Sequence, residues 1–420
     1  MRRSARRRIL EVAFGLLLGS LLGATGTWAR TIEAESARRS AAAEFVFHAL
    51  RPSFVTDGWR SATLGQPVTI FDPNGTPLYY EIGVYEGERV LGAVTAAADD
   101  SLGTDVIAFR RGARARSLDK AAAEAAALTA REKGHVEIRR VWPVAYRGQT
   151  VGIAVAFLDT ASRREGVSTF DVETMARVTP EDIRSTLWDI PGDENSLRIK
   201  CYDRDRLWSV EVESILDHAG VRLRKLEVAP LDAREWAIAE QMLVAAGTPT
   251  WTTVDLSRCK LYKQTTATFC ARATLQMFNY FWLGSSLHTQ NQIDAALIGY
   301  GWNSDWKAAF KLYLAYSTKL WTSKSIDKGQ KAYDTMWTEM CQEIDADRPF
   351  AIHEVYASKN TAHIMFAMGY LEEDKDVFGM LFTQEWVGIY DPAGSVYEQK
   401  LFNDSVLSYA QFAGYITAAP

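Results

Sequence analysis

The stretch Gln264-Thr265-Thr266-Ala267-Thr268-Phe269-Cys270-Ala271-Arg272-Ala273 decides how the rest of this chain is read. Downstream of it, apolar residues fall at Cys270, Ala273, Met277, Phe278 and Phe281. That is the one-face spacing of a buried amphipathic helix. The threonines before it predict capping hydroxyls, which places Cys270 in the first helical turn. A thiol there sits in the partial positive charge of the helix start, which favours thiolate over thiol. Gln264, six residues upstream, offers a side-chain amide donor. A nucleophilic thiol, its own backbone N–H and a nearby amide are the parts of an acyl-transfer site, in which the donors hold the oxyanion.

A thiol nucleophile also needs a base that takes its proton and returns it to the leaving amine. Of the six histidines, His288, His353 and His363 lie in the C-terminal region. His363 opens Ile364-Met365-Phe366-Ala367-Met368-Gly369-Tyr370, an apolar run that reads as a buried central strand. His353, within Phe350-Ala351-Ile352-His353-Glu354-Val355-Tyr356, is the rival on the preceding strand, and His288 reads as a loop residue near a helix start. A charged stretch, Glu372 to Asp376, reads as a turn. Trp386-Val387-Gly388-Ile389-Tyr390-Asp391-Pro392-Ala393 follows it, with a carboxylate at the end of a strand that is suited to fixing an imidazole. Alone, a buried Cys, a His at a strand edge and an Asp-Pro turn are each more often structural than catalytic. Their order along one chain is what favours function. The run Tyr300, Trp302, Trp306, Phe310 and Tyr313 has the spacing of a helix core face, with a substrate cleft as the alternative.

Gln264-x5-Cys270 with Ala273-Thr274-Leu275, Met277 and Asn279-Tyr280-Phe281 resembles the papain-like cysteine peptidases. The branch it is most similar to comprises the bacteriocin-leader-processing, or double-glycine, peptidases, with streptopain-like enzymes next. His363 before a strand ending Gly369-Tyr370 resembles the base motif of these families, and Asp391-Pro392 the third position of the double-glycine branch. The chain departs from that branch at Ala271-Arg272, where Gly-Pro is usual. The resemblance covers residues 251 to 420. It implies an α+β papain-like fold, with a Cys-bearing helix packed on an antiparallel sheet, and a Cys270–His363–Asp391 triad aided by Gln264.

Towards the N-terminus, Arg2, Arg3, Arg6, Arg7 and Arg8 precede a mostly apolar run from Ile9 to Leu22, then Thr27-Trp28-Ala29. Residues 1–29 thus read as an export signal, or as a membrane anchor through residues 9–29 if uncleaved. Thr31 to Leu50 predicts a helix. Val68 to Phe71, Leu78 to Ile82 and Arg89 to Val94 predict hairpin strands around Asp72-Pro73-Asn74-Gly75 and Glu86-Gly87. A helix at Leu118–Lys133 and strands at Val136–Tyr146 and Thr150–Phe157 complete a module, residues 30–160. It resembles the propeptides and PepSY-like modules of secreted bacterial peptidases. Residues 161–249 are expected to be an extension or linker, with a helix starting near Pro180, alternating strands over Leu197–Val212 and a helix over Leu231–Ala246. Gly247-Thr248-Pro249 marks the boundary with a catalytic domain at 250–420.

The 420 residues carry a formal net charge of −5, which gives no reason to expect nucleic acid. Cysteines stand at 201, 259, 270 and 341, with no Cys/His spacing for zinc. We expect no cofactor and no metal, and at most one disulfide, Cys259 with Cys341. The expected function is that of an exported cysteine peptidase zymogen acting on a peptide or protein substrate, with the chain's own N-terminal region as inhibitor. A transglutaminase-like acyltransferase and an inactive binding or inhibitor module are the alternatives.

Overall fold

The computed structural model describes residues 30–51, 56–73, 75–114, 116–146, 150–179, 192–243, 250–266, 268–297, 306–317, 322–327, 333–355, 362–377, 380–404 and 412–419. The expected signal segment, Gly247-Thr248-Pro249 and the helix expected near Pro180 lie outside the described residues. The fold is mixed α+β.

In the N-terminal half, helix α1 (Ala34–Ala49) precedes strands β1 (Thr63–Phe71), β2 (Pro77–Glu86), β3 (Arg89–Ala97) and β4 (Val106–Arg111). Helix α2 (Leu118–Lys133), β5 (Val136–Tyr146), β6 (Thr150–Asp159), β7 (Glu165–Asp171), β8 (Arg177–Val178), α3 (Gly192–His218) and α4 (Ala233–Leu243) follow. The C-terminal half contains β9 (Thr252–Thr253), α5 (Cys270–Leu283), α6 (Gln290–Ala296), α7 (Trp306–Ser317), β10 (Thr322–Asp327) and α8 (Tyr333–Asp345). Its main strands are β11 (Phe350–Val355), β12 (Ala362–Val377), β13 (Met380–Asp391), β14 (Ser395–Asp404) and β15 (Phe412–Ala419).

The strands form one ladder in the order β10-β15-β11-β12-β13-β14-β4-β3-β2-β1-β5-β6-β7-β8. Among the described residues it is antiparallel, except where the parallel pair Phe71–Val144 joins β1 to β5 and divides the ladder into two sectors. The halves meet inside the first sector, because β14 pairs with β4, Val396 opposite Arg111 and Lys400 opposite Ala108. Two expectations fail here for physical reasons. Leu197–Val212 is not a strand pair but part of helix α3. Trp208, Val212 and Leu216 recur every four residues and are buried, a helical period hidden among charged neighbours. Helices α3 and α4 pack on the module before them, as Trp208 packs edge-on to Phe47 at 5.1 Å and Trp236 donates to the Arg60 carbonyl at 2.9 Å.

Glu372 to Asp376 is likewise no turn, since β12 runs through it. Strand alternation governs this stretch, with Leu371, Glu373 and Lys375 buried and Glu372 and Asp374 exposed. Two charges tolerate burial because the N-terminal half supplies their partners. Lys375 bonds Glu44 of α1 and lies 3.8 Å from Glu373, and Arg51 bonds Glu373. His48 Nε2 sits 3.2 Å from Glu44 and 3.7 Å from Glu373, while Trp386 donates to Glu373 at 2.8 Å. Burial pushes His48 down to about 3, so it stays neutral within the cluster. Despite burial, which works against it, Lys375 is shifted upward by Glu44 and Glu373, so it stays charged.

Lys375→Met leaves Glu44 and Glu373 short of a buried counter-charge. We expect a loss of about 3–5 kcal/mol in the urea or thermal unfolding of the full-length chain, with part of it recovered by adding Glu44→Gln. An unchanged midpoint would show that these ions are not held in a dry interior.

Candidate active site

Helix α5 carries Cys270 as its first residue and is buried on most sides, with Ala273, Met277 and Phe278 wholly inside. Phe278 and Phe281 pack against Phe366 of β12, with ring centroids 5.2 and 6.3 Å apart. One turn after Cys270, Thr274 Oγ1 donates to the Ile364 carbonyl at 3.1 Å. That bond fixes the helix start against the residue that follows His363.

The expected threonine cap is absent. The N-cap position is Phe269, which makes no side-chain cap bond, and Thr266 and Thr268 bond each other instead. Their hydroxyls are used within the loop.

His363, near the start of β12, and Asp391, at the end of antiparallel β13, lie at the same end of the sheet. His363 Nε2 bonds Asp391 Oδ1 at 2.6 Å, and the His363 side chain also hydrogen-bonds Cys270. Asp391 Oδ1 accepts the Ala393 N–H at 2.8 Å as well, which anchors the carboxylate to its own turn. Burial alone would lower the affinity of the ring for its proton. The Asp391 charge and hydrogen bond, followed by Cys270, overcome it and hold His363 at about 10.

Gln264 lies on the loop leading into α5. Its N–H donates to the Pro392 carbonyl at 2.7 Å, joining this loop to the turn after Asp391, and its side-chain Oε1 is buried without a hydrogen-bond partner. Sequence reading missed what holds this loop. Gln290 Nε2 donates to the Lys263 carbonyl at 2.7 Å and to Gln276 Oε1 at 3.0 Å, while its Oε1 accepts the Thr265 N–H at 2.8 Å. Thr289-x-x-Gln292 does form a capping box, legible in sequence, that fixes α6 and therefore Gln290. The partnership of Gln290 with Gln276 and Lys263 has no local signature.

The rival His353, on β11, pairs with Ile364 in the ladder, so its side chain leaves the sheet on the face opposite to that of His363. Burial, then the charges of Lys307 and His363, push it down to about 3, so it is neutral. His288 bonds Tyr313 at 2.7 Å. Phe310 and Tyr313 are core residues, whereas Tyr300 and Trp302 lie outside the described residues. Gly369 has a steric reason to be glycine, since a Cβ there would come within 2.8 Å of the Thr252 carbonyl where β9 crosses β12. The expected Cys259–Cys341 bridge is not formed, because both are free thiols. Burial pushes Cys259 up to about 12 and Cys341 further, which makes both poor nucleophiles. Among the described residues, no group of three or more His, Cys, Asp or Glu side chains is placed to hold a metal, and no helix is long and apolar enough to cross a membrane.

A thiol at a helix start, bonded to an imidazole that is bonded to a carboxylate, is the arrangement of cysteine-dependent acyl transfer. Residues 257–416 match the model of the Peptidase_C39 like family, a similarity of the C-terminal region that suggests a cysteine peptidase. The match spans less than half of the chain and leaves residues 30–249 outside it. No curated protein matches the chain.

The folded His363 ring keeps its proton to about pH 10, against 6.5 for an unperturbed ring. Its contribution to stability is full below the unfolded value and disappears as pH rises through that window. Asp391→Asn removes the main interaction that raises the ring, so its titration, followed by NMR, should move from near 10 towards neutral. His353→Gln removes a neutral ring and should leave that titration near 10.

Proposed function

We propose that this chain is an exported cysteine peptidase that hydrolyses peptide bonds through Cys270, His363 and Asp391. The observation that carries the proposal is the Cys270–His363–Asp391 chain of hydrogen bonds within the residues matched by the family. Cys270, as thiolate paired with the His363 imidazolium, attacks the substrate carbonyl. The oxyanion takes hydrogen bonds from the Cys270 N–H and the Gln264 side chain. His363 then gives its proton to the leaving amine, and the C–N bond breaks to leave a thioester. In the second half, His363 takes a proton from water, which attacks the thioester and restores the thiol. Asp391 holds the ring in the orientation both steps need. Export rests on the arginines and apolar run of residues 1–29.

Residues 30–249 enter this proposal as a lasting part of the enzyme instead of the removable inhibitor that the propeptide resemblance implies. Two observations support that choice: β4 continues the sheet beyond β14, and the N-terminal half supplies counter-charges for Lys375 and Glu373, through Glu44 of α1 and Arg51. Removing these elements would open a sheet edge and strand buried charges.

The test uses the full-length chain on a fluorogenic peptide library, beside a thiol-reactive probe. Wild type should be labelled selectively at Cys270 and should release hydrolysed product without an added amine donor. Cys270→Ala or His363→Ala should lose about 10^3-fold or more in turnover, His353→Ala should keep most activity, and Gln264→Ala should lose ~10^2- to 10^3-fold. Unselective labelling together with no hydrolysis would overturn the peptidase reading.

A further inference from the structure

The N-terminal half also touches the two loops that carry Gln264 and Asp391, and it does so through one turn. That turn, residues 171–176 between β7 and β8, is held from within. Asp171 Oδ1 accepts the N–H and hydroxyl of Thr174 at 2.7 and 2.8 Å, the buried Tyr146 hydroxyl bonds Asp171 Oδ2, and the Met175 N–H bonds the Asp171 carbonyl at 2.8 Å. Arg116 binds the Glu173 carbonyl from outside. The turn presents Glu173, whose side chain is only 10% exposed, to the catalytic half.

Glu173 Oε2 lies 3.7 Å from Lys263 Nζ, and both side chains pack on Gly394. A Cβ at Gly394 would stand 3.2 Å from Lys263 Nζ and 3.5 Å from Glu173 Oε2, and the φ of +118° there already disfavours other residues. Lys263 directly precedes Gln264, and Gly394 closes the turn after Asp391 through its N–H on the Asp391 carbonyl at 3.0 Å. The Gln264 N–H bond to the Pro392 carbonyl ties the two loops together beneath Glu173.

We propose that Glu173 is a positioning residue, by which the N-terminal half holds the loops of Gln264 and Asp391 in register with Cys270. The inference rests on the peptidase reading above. An ion pair with a half-exposed lysine adds little to global stability. Its position, where both loops meet, is what gives it leverage, because misplacing catalytic groups by about 1 Å costs ~10^2-fold in rate.

The experiment compares full-length wild type, Glu173→Ala, Glu173→Gln and the charge exchange Glu173→Lys/Lys263→Glu. Each is read by kcat and KM on a fluorogenic peptide, by the pH dependence of Cys270 alkylation with iodoacetamide, and by melting temperature. Both single variants should lose ~10- to 10^2-fold in kcat with KM nearly unchanged, shift the alkylation profile, and melt with wild type. The charge exchange should restore most of kcat. Unchanged kcat and alkylation profiles in Glu173→Ala and Glu173→Gln would overturn the proposal, as would a loss that follows melting temperature and is not restored by the exchange. If wild type hydrolyses no peptide, the peptidase reading falls and the alkylation profiles alone decide the role of Glu173.

Discussion

The burial of Glu373 and Lys375 on β12 is the constraint on which the two halves depend. Alternation along a strand gives these side chains no choice of face once Leu371 is inside. Two opposite charges taken out of water need close partners, and the partners are Glu44 and His48 of α1 and Arg51, two residues after its end. The same strand that brings His363 to Cys270 at one end is therefore anchored in the N-terminal half at the other. The site and the interface are two ends of one extended segment.

The electrostatics of the two ends contrast. At the interface a histidine is kept neutral, because desolvation outweighs the carboxylates near His48. At the site a histidine buried just as deeply stays charged, because Asp391 makes a short, direct hydrogen bond to it and Cys270 adds to the effect. Burial alone predicts the first outcome but not the second, which the short hydrogen bond to Asp391 decides.

What was legible in the sequence follows from how local each signal is. The helix of Cys270, the strand of His363 and the strand-end Asp391 each announce themselves within a few residues, and α2 and the β5–β6 hairpin were readable for the same reason. Glu372 to Asp376 was misread because its pattern becomes a buried strand only when Glu44 and Arg51, more than three hundred positions earlier, are placed beside it. The helical period of Trp208, Val212 and Leu216 was masked by interleaved charges, and the Gln276–Gln290–Lys263 clamp depends on contacts that no window of sequence contains. The threonines before Cys270 had the composition of a cap, yet they satisfied one another.

The pairing of β4 with β14 also bears on how the molecule is made. Arg111 leaves the ribosome long before Val396 exists, so the early chain carries an unpaired sheet edge and, in α1, buried-to-be charges with no partners. Such an edge is sticky, and contacts this distant in sequence close slowly. The N-terminal half thus has a built-in reason to remain incompletely folded until synthesis is nearly finished.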